Sequence, residues 1–226
     1  MQLKDVPSHY DRAARWYDAG RSILFDRLLH IEQEREHTID LLGDLSGARV
    51  LDVGVGTGAN LPFLVSKVGP SGSVLGVDYS EGMLARASAR VESEGYANVE
   101  LRRGDAVVLE GVEGDFDAVI SVWCLGIVHD LQAALARALE LLRPGGKLAI
   151  MDFRSVRPDR GPLNWFFPLY APLLRASGID SREDLDAERY EARWRDARAW
   201  LDPRIDVLHE QRYLADTGFI LVGEKR

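Results

Sequence analysis

The chain has a single cysteine, Cys124, and only four lysines, Lys4, Lys67, Lys147 and Lys225, among 226 residues. One thiol excludes an internal disulfide and a multi-cysteine metal cluster, and it fits a reducing interior. No metal centre is expected. Arginine carries most of the positive charge, and 28 basic against 36 acidic side chains leave a net charge of −8. That balance argues against a partner held by counterion release, so no nucleic-acid partner is expected. No apolar run approaches the roughly 18 residues of a membrane-spanning helix. The polar opening "MQLKDVPSHYDRAARWYD" lacks the apolar centre of a secretion signal. A cytoplasmic protein is the expectation. The rest of the composition is that of an ordinary globular chain, 46% hydrophobic and 28% charged, long enough for one substantial core rather than two small ones.

Residues 8–42 read as helical, with Ile23, Leu24, Leu28, Leu29, Ile39, Leu41 and Leu42 at helix spacing. Gly20 separates two helices there and Gly43 ends the second. From Ala48 the period changes. Short apolar runs at 50–53, 73–77, 99–102, 118–123 and 147–153 alternate with helical stretches at 59–68, 81–94 and 131–142. Continuous apolar strands between helices are the pattern of a parallel sheet covered on both faces. After Phe153 the regularity breaks. "RPDRGPLNWFFPLYAPLLRASGID" (157–180) is rich in proline and aromatics, and a charged helix follows over about 182–201. The chain closes with two strand-like runs joined by Asp216-Thr217-Gly218, a hairpin signal.

"RVLDVGVGTGAN" (49–60) runs from an apolar strand into three glycines, Gly54, Gly56 and Gly58, with Asp52 just ahead of them. Glycines after a first strand let backbone N–H groups approach a ligand closely and open a helix whose positive end faces it. Read literally, the run also satisfies the dinucleotide fingerprint G-x-G-x-x-G/A, which alone is weak. Three acids decide against a dinucleotide. Asp52 suits a cationic amino group. Asp78 ends the next strand, placed to accept from two ribose hydroxyls, with Tyr79 beside it to cover a base. Asp105, in "RRGDA", can accept from the exocyclic amine of adenine. An amino-acid end, a ribose and an adenine without phosphate describe S-adenosylmethionine.

At this point the sequence resembles the class I S-adenosylmethionine-dependent methyltransferases. "VLDVGVGTG" is similar to that family's first motif, "VLGVDYSEGML" to its second strand and "RRGDA" to its adenine-side acid. "FDAVISVWCLGIVHD" resembles the fourth strand and "LLRPGGKLAIMDF" the turn and fifth strand. The resemblance covers about residues 8–153 and resumes in the closing hairpin. It implies an α/β fold: a Rossmann-like, seven-stranded, mostly parallel sheet with helices on both faces and a C-terminal antiparallel hairpin. The whole chain, 1–226, then forms one domain, with an amino-terminal helical lid (1–45), a cofactor-binding core (46–155), a substrate-cap insertion (156–202) and the hairpin (203–226). S-adenosyl-L-methionine is the implied cofactor. Asn60, Met83, Ala106 and Val122 join Asp52, the three glycines, Asp78, Tyr79 and Asp105 on its side. "YDRAARWYD" (10–18) matches Y-D-x-x-A-x-x-Y-D, which precedes the first motif in several small-molecule methyltransferases, and there Tyr17 meets the methionine end.

His129 and Asp130 lie just past the fourth strand, at the carboxyl edge where ligands bind in open α/β folds. His129 is the best-placed general base, with helix capping as the plain alternative. Cys124 reads as a small core residue, and Lys147, beside the tight turn "RPGG", as solvated. Trp123, Trp165, Phe166 and Tyr170 form the substrate side. An aromatic cap over an apolar acceptor competes there with a packed hydrophobic subdomain and with an interfacial segment in peripheral membrane contact. Within the family the chain is most similar to the ubiquinone/menaquinone C-methyltransferases and the bacterial phosphatidylethanolamine N-methyltransferases, although the quinone enzymes' "YD-x-M-N" pattern is absent. The implied function is methyl transfer to a small apolar or lipid-like acceptor: a quinol, a phospholipid amine or a phenol. A cofactor-binding sensor without catalysis is the alternative, and a nicotinamide oxidoreductase is disfavoured by Asp52. Nothing in the pattern specifies an oligomeric state.

Overall fold

The two-residue period of a strand assigns alternate side chains to opposite faces, and that alternation determines the layers. In β1 (Arg49–Val53) Leu51 and Val53 join one core while Val50 joins the other. The computed structural model describes residues 31–154, 187–214 and 216–226, apart from the side chains of 187–189. On the Val50 face lie α1 (Ile31–Asp40), α2 (Leu61–Val68) and α3 (Glu81–Glu94). On the Leu51 face lie α4 (Leu131–Leu141) and α5 (Ala187–Leu201). The remaining strands are β2 (Ser73–Asp78), β3 (Val99–Arg103), β4 (Phe116–Val122), β5 (Leu142–Phe153), β6 (Ile205–Tyr213) and β7 (Gly218–Lys225).

The seven strands are ordered β3-β2-β1-β4-β5-β7-β6, with β7 alone antiparallel to its neighbours. The expected fold is therefore the observed one. The hairpin turns inward: the chain first lays down β6 at the edge, then returns through β7 between β5 and β6. Composition explains the order. "GFILVG" in β7 is buried along its length, as a strand covered on both faces demands, whereas in β6 only the end residues Ile205 and Tyr213 are buried and the stretch between carries exposed Asp206, Glu210 and Arg212. A register shift between Val207 and His209 interrupts the pairing of that edge strand, one way of blunting an edge.

Element ends moved by small amounts. The second helix starts at Leu61 rather than at 59, and β4 starts at Phe116 rather than at 118. Residues 143–146 bulge out between the Leu142 and Lys147 pairings to β4, with Gly145 at φ +70°. Lys147 was expected in solvent; instead its Nζ donates to the Leu42 carbonyl at 2.7 Å. Lys67 donates to the adjacent Gly43 carbonyl at 3.0 Å. Both cations meet orphan carbonyls just past the C-terminus of α1, where the helix dipole favours positive charge. Of the long amino-terminal helical stretch the structure describes α1.

Phe116 is fully buried where β4 begins, with the Arg49 guanidinium 4.0 Å from its ring centroid. Phe116→Ala removes the ring and leaves a cavity on the α4 side, so it is expected to cost about 3–5 kcal/mol. Chemical denaturation of the two proteins checks this, and a loss under about 1 kcal/mol would contradict the packing described.

Candidate active site

Strand order reverses between β1 and β4, so the segments leaving their carboxyl ends diverge and open a crevice. The glycine loop leaves β1 there. Gly54, Gly56 and Gly58 have φ of +78°, +56° and +81°, which side chains rarely adopt. Their surroundings give them different jobs. A Cβ on Gly54 would stand 2.4 Å from Cys124 Cβ, and one on Gly58 2.8 Å from Leu61 Cδ1, so these two glycines allow close packing. A Cβ on Gly56 would meet nothing nearer than the Gly54 carbonyl at 3.9 Å. Gly56 is the glycine that faces open space.

Backbone and side-chain acceptors on β2 hold the loop. Gly54 N and Val55 N donate to the Val77 carbonyl at 2.8 and 3.0 Å, and Gly56 N donates to Asp78 Oδ2 at 2.9 Å. Asp78 Oδ1 accepts from Ser80 N at 2.9 Å. Each carboxylate oxygen has capacity for a second bond, so Asp78 can brace the loop and still accept from a ligand. Asp52 is wholly buried, and Asn60 Nδ2 donates to both its oxygens, at 2.9 and 3.0 Å. Asn60 Oδ1 in turn accepts from Arg35 Nη1 of α1. Burial pushes the Asp52 carboxyl up to about 7, against the pull of the Asn60 bond and the Arg35 charge. Tyr79 lies under the Arg103 guanidinium, 5.6 Å from its ring centroid. Met83 is buried at the start of α3, where its N–H donates to the Ser80 cap. Asp105 and Ala106 follow β3, half-buried, with Asp105 Oδ1 accepting from Val107 N at 2.8 Å. Val122 is buried at the end of β4. All of these lie on the carboxyl side of the sheet.

Residues 50–146 match the family described as methyltransferase domain. A demethylmenaquinone methyltransferase of Renibacterium salmoninarum is 30% identical over 217 residues, covering 95% of this chain and 84% of the relative. A phosphatidylethanolamine N-methyltransferase of Cereibacter sphaeroides is 33% identical over 165 residues, covering 73% of each. This chain belongs to the class I S-adenosylmethionine-dependent methyltransferases. It spans 35–48% of the length of other relatives that it matches, among them an arsenite methyltransferase and a nocamycin O-methyltransferase. The fold is also that of a SAM-dependent methyltransferase from Aquifex aeolicus, at a TM-score of 0.66 and 21% identity over 96% of this chain and 98% of the other.

The donor and acceptor set of this methyltransferase fits its cofactor: open space at Gly56, and one carboxylate each at the ends of β1, β2 and β3. Beside the loop, past the end of β4, the surface is aromatic. Trp123 leaves β4 at φ +55°, a conformation that costs about 1–3 kcal/mol outside glycine. It is held by several contacts at once. Its ring stacks on Phe153 at 5.5 Å and 18°, its Nε1 donates to Tyr213 Oη at 2.8 Å, and the Arg35 guanidinium lies 5.5 Å from its centroid. His129 is exposed beyond the turn Leu125–Ile127, and the capping of α4 falls to Asp130, which accepts from Ala133 N at 2.9 Å. Cys124 packs against Gly54, and burial pushes its thiol well above the usual range. Tyr17, Trp165, Phe166 and Tyr170 lie outside the described residues.

Two charged residues of the methyltransferase were not anticipated. Arg35 sits in "EREHTID", whose polar look gave no hint of burial. Asp152 ends β5 as Asp52 ends β1, and an acid closing an apolar strand was the available signal. It accepts from Gly126 N at 2.9 Å, Phe153 N at 2.7 Å and Tyr190 Oη at 3.5 Å. Burial pushes it up to about 6.

Folded Asp52 titrates near 7 against 3.8 in an unperturbed carboxyl. Between those values the folded state holds more protons, so Asp52 lowers stability as pH rises through that window. Asp52→Asn removes this slope. Its melting temperature relative to the parent is expected to improve from about pH 5 to about pH 8 by scanning calorimetry, and a constant difference would contradict the assignment. The glycines should also separate. Gly54→Ala is expected to destabilise the fold against Cys124. Gly56→Ala should keep most of its stability, at about 1–2 kcal/mol for its φ, while losing S-adenosylhomocysteine affinity at least tenfold by titration calorimetry.

Proposed function

We propose that this protein transfers the methyl group of S-adenosylmethionine to a small apolar or lipid-like acceptor, such as a quinol or a phospholipid amine. The observation that carries the proposal is the Trp123–Phe153 stack, an aromatic wall at the carboxyl ends of β4 and β5 beside the glycine loop. Ile127, in the turn that follows Trp123, is an exposed apolar side chain at the same sheet edge. The names of the relatives that match most of this chain point the same way, one acting on a demethylmenaquinone and one on phosphatidylethanolamine. An arsenite acceptor is disfavoured, because a soft arsenic centre calls for several thiolates, and this chain has one cysteine with a raised pKa.

When bound, the cofactor supplies an electrophilic methyl group and a neutral thioether leaving group. An acceptor would take that methyl group as the sulfur kept the electron pair of its broken carbon–sulfur bond, and would give up a proton. The chain's task is therefore alignment and exclusion of water, effects worth up to about 7–11 kcal/mol. Asp52 would accept from the cofactor's ammonium group, Asp78 from its ribose, and Asp105 from its adenine amine. Trp123 and Phe153 bound the acceptor. His129, exposed at the same edge, is the base for a phenol or an activated ring carbon, whereas a neutral amine needs none.

A methyl-transfer screen against demethylmenaquinol, phosphatidylethanolamine, simple phenols and polar amines tests the reading. The first two are expected to be methylated fastest. Phe153→Ala should raise the acceptor's KM about tenfold, the order expected for one lost apolar contact surface, with S-adenosylhomocysteine affinity within a factor of about three. Methylation confined to polar amines would overturn the acceptor class, and cofactor binding without turnover on any acceptor would favour a sensor.

A further inference from the structure

Arg35 stands where a helix ordinarily presents an apolar side chain. In α1 the buried positions are Ile31, Arg35, Thr38 and Ile39, one stripe at helical spacing, and Arg35 is 5% exposed. A guanidinium drawn into a core costs several kcal/mol unless it is paired. Within the site it donates to Asn60 Oδ1 and lies over the face of Trp123. Asn60 occupies the N-cap position of α2, yet its side chain makes no cap bond. Arginine can only donate, so the Asn60 carbonyl oxygen must face Arg35 and the amide hydrogens must face Asp52. Asn60 thus hands the direction of one charge to the other, and both Asp52 oxygens accept from it.

We propose that Arg35 is a positioning residue for cofactor binding: through Asn60 its guanidinium orients the buried Asp52 carboxylate and balances its charge beneath the glycine loop. The proposal rests on the reading of Asp52 as acceptor for the cofactor's ammonium group. Among the described residues, the titratable groups around the pair include Glu34 on α1, Asp78 at the end of β2, Cys124 after β4, Asp152 at the end of β5, and Tyr213 on β6. Asp78 opposes a charged Asp52, as burial does, while Arg35 favours it. Without Arg35, Asp52 keeps its proton to higher pH and meets an ammonium group as a neutral acid. An amino-terminal helix thereby acts on cofactor affinity without any required contact with the cofactor.

The test is S-adenosylhomocysteine calorimetry across about pH 6–9, bracketing the titration of Asp52, on the parent protein and on Arg35→Met, Arg35→Gln, Arg35→Lys and Asp52→Asn, with melting temperatures alongside. Parent affinity is expected to rise through neutral pH. Arg35→Met should lose at least tenfold near pH 7, with the rise displaced to higher pH, and Arg35→Lys should recover part of both. Arg35→Gln keeps a donor for Asn60 without the charge, so it should show the same displacement; it carries the test if Arg35→Met does not fold. An affinity loss that is uniform across pH and follows the melting temperature in the Arg35 variants would mean a structural role only and would overturn the proposal. If Asp52→Asn loses affinity while the Arg35 variants keep the parent's pH profile, the proposal alone fails. If Asp52→Asn binds as the parent does, the ammonium reading fails first and the proposal with it.

Discussion

Asp52 ends a strand that is buried on both faces, and a carboxylate in that setting is costly unless hydrogen bonds and opposite charge offset its lost hydration. The surrounding structure supplies both through Asn60 and Arg35. The consequences spread outward. Asn60 gives up its capping bond at α2, α1 takes a charged residue into its buried stripe, and the guanidinium that follows also lies over Trp123. Three elements of one face, α1, the start of α2 and the end of β1, are tied to one anionic group.

The same chemistry recurs at successive strand ends with different degrees of burial. Asp78 is half-exposed and braces the glycine loop through Gly56 N. Asp105 is half-buried and braces its own turn. Asp152 faces the α4–α5 side, where it receives Gly126 N and Tyr190 Oη. Arg193 of α5 donates to the Gly126 and Val128 carbonyls, so α5 is fastened to the turn that leads to His129. The carboxyl edge of the sheet is thus a row of acids, each answered by backbone donors or an arginine. A cationic cofactor is electrostatically suited to such an edge.

Trp123 shows how the proposed acceptor wall depends on tertiary contacts. Its left-handed backbone persists because the Phe153 stack, the Tyr213 hydrogen bond and the Arg35 contact hold the ring together. Phe153 ends β5 and Tyr213 ends β6, so the wall is assembled by the inward-turning hairpin as much as by the parallel core. The relatives that match most of this chain are named for a quinone-type and a phospholipid substrate.

The sequence by itself determined the sheet and the cofactor. Alternating apolar runs and helices specify a covered parallel sheet because both periods are local properties of the chain. Acids placed at or just past the ends of three strands are readable because a strand end is where side chains leave the core. The Asp216-Thr217-Gly218 turn announced the hairpin for the same local reason. What the sequence did not disclose arises from contacts distant along the chain. Arg35 lies 25 residues from Asn60, and Trp123 lies 90 from Tyr213. A solvated arginine and a buried one have the same neighbours in sequence. Lys147 looked like a turn-side cation and became a cap for α1, 105 residues away. Burial, and with it charge state and hydrogen-bond direction, is a property of the assembled layers, and only the tertiary structure could decide it.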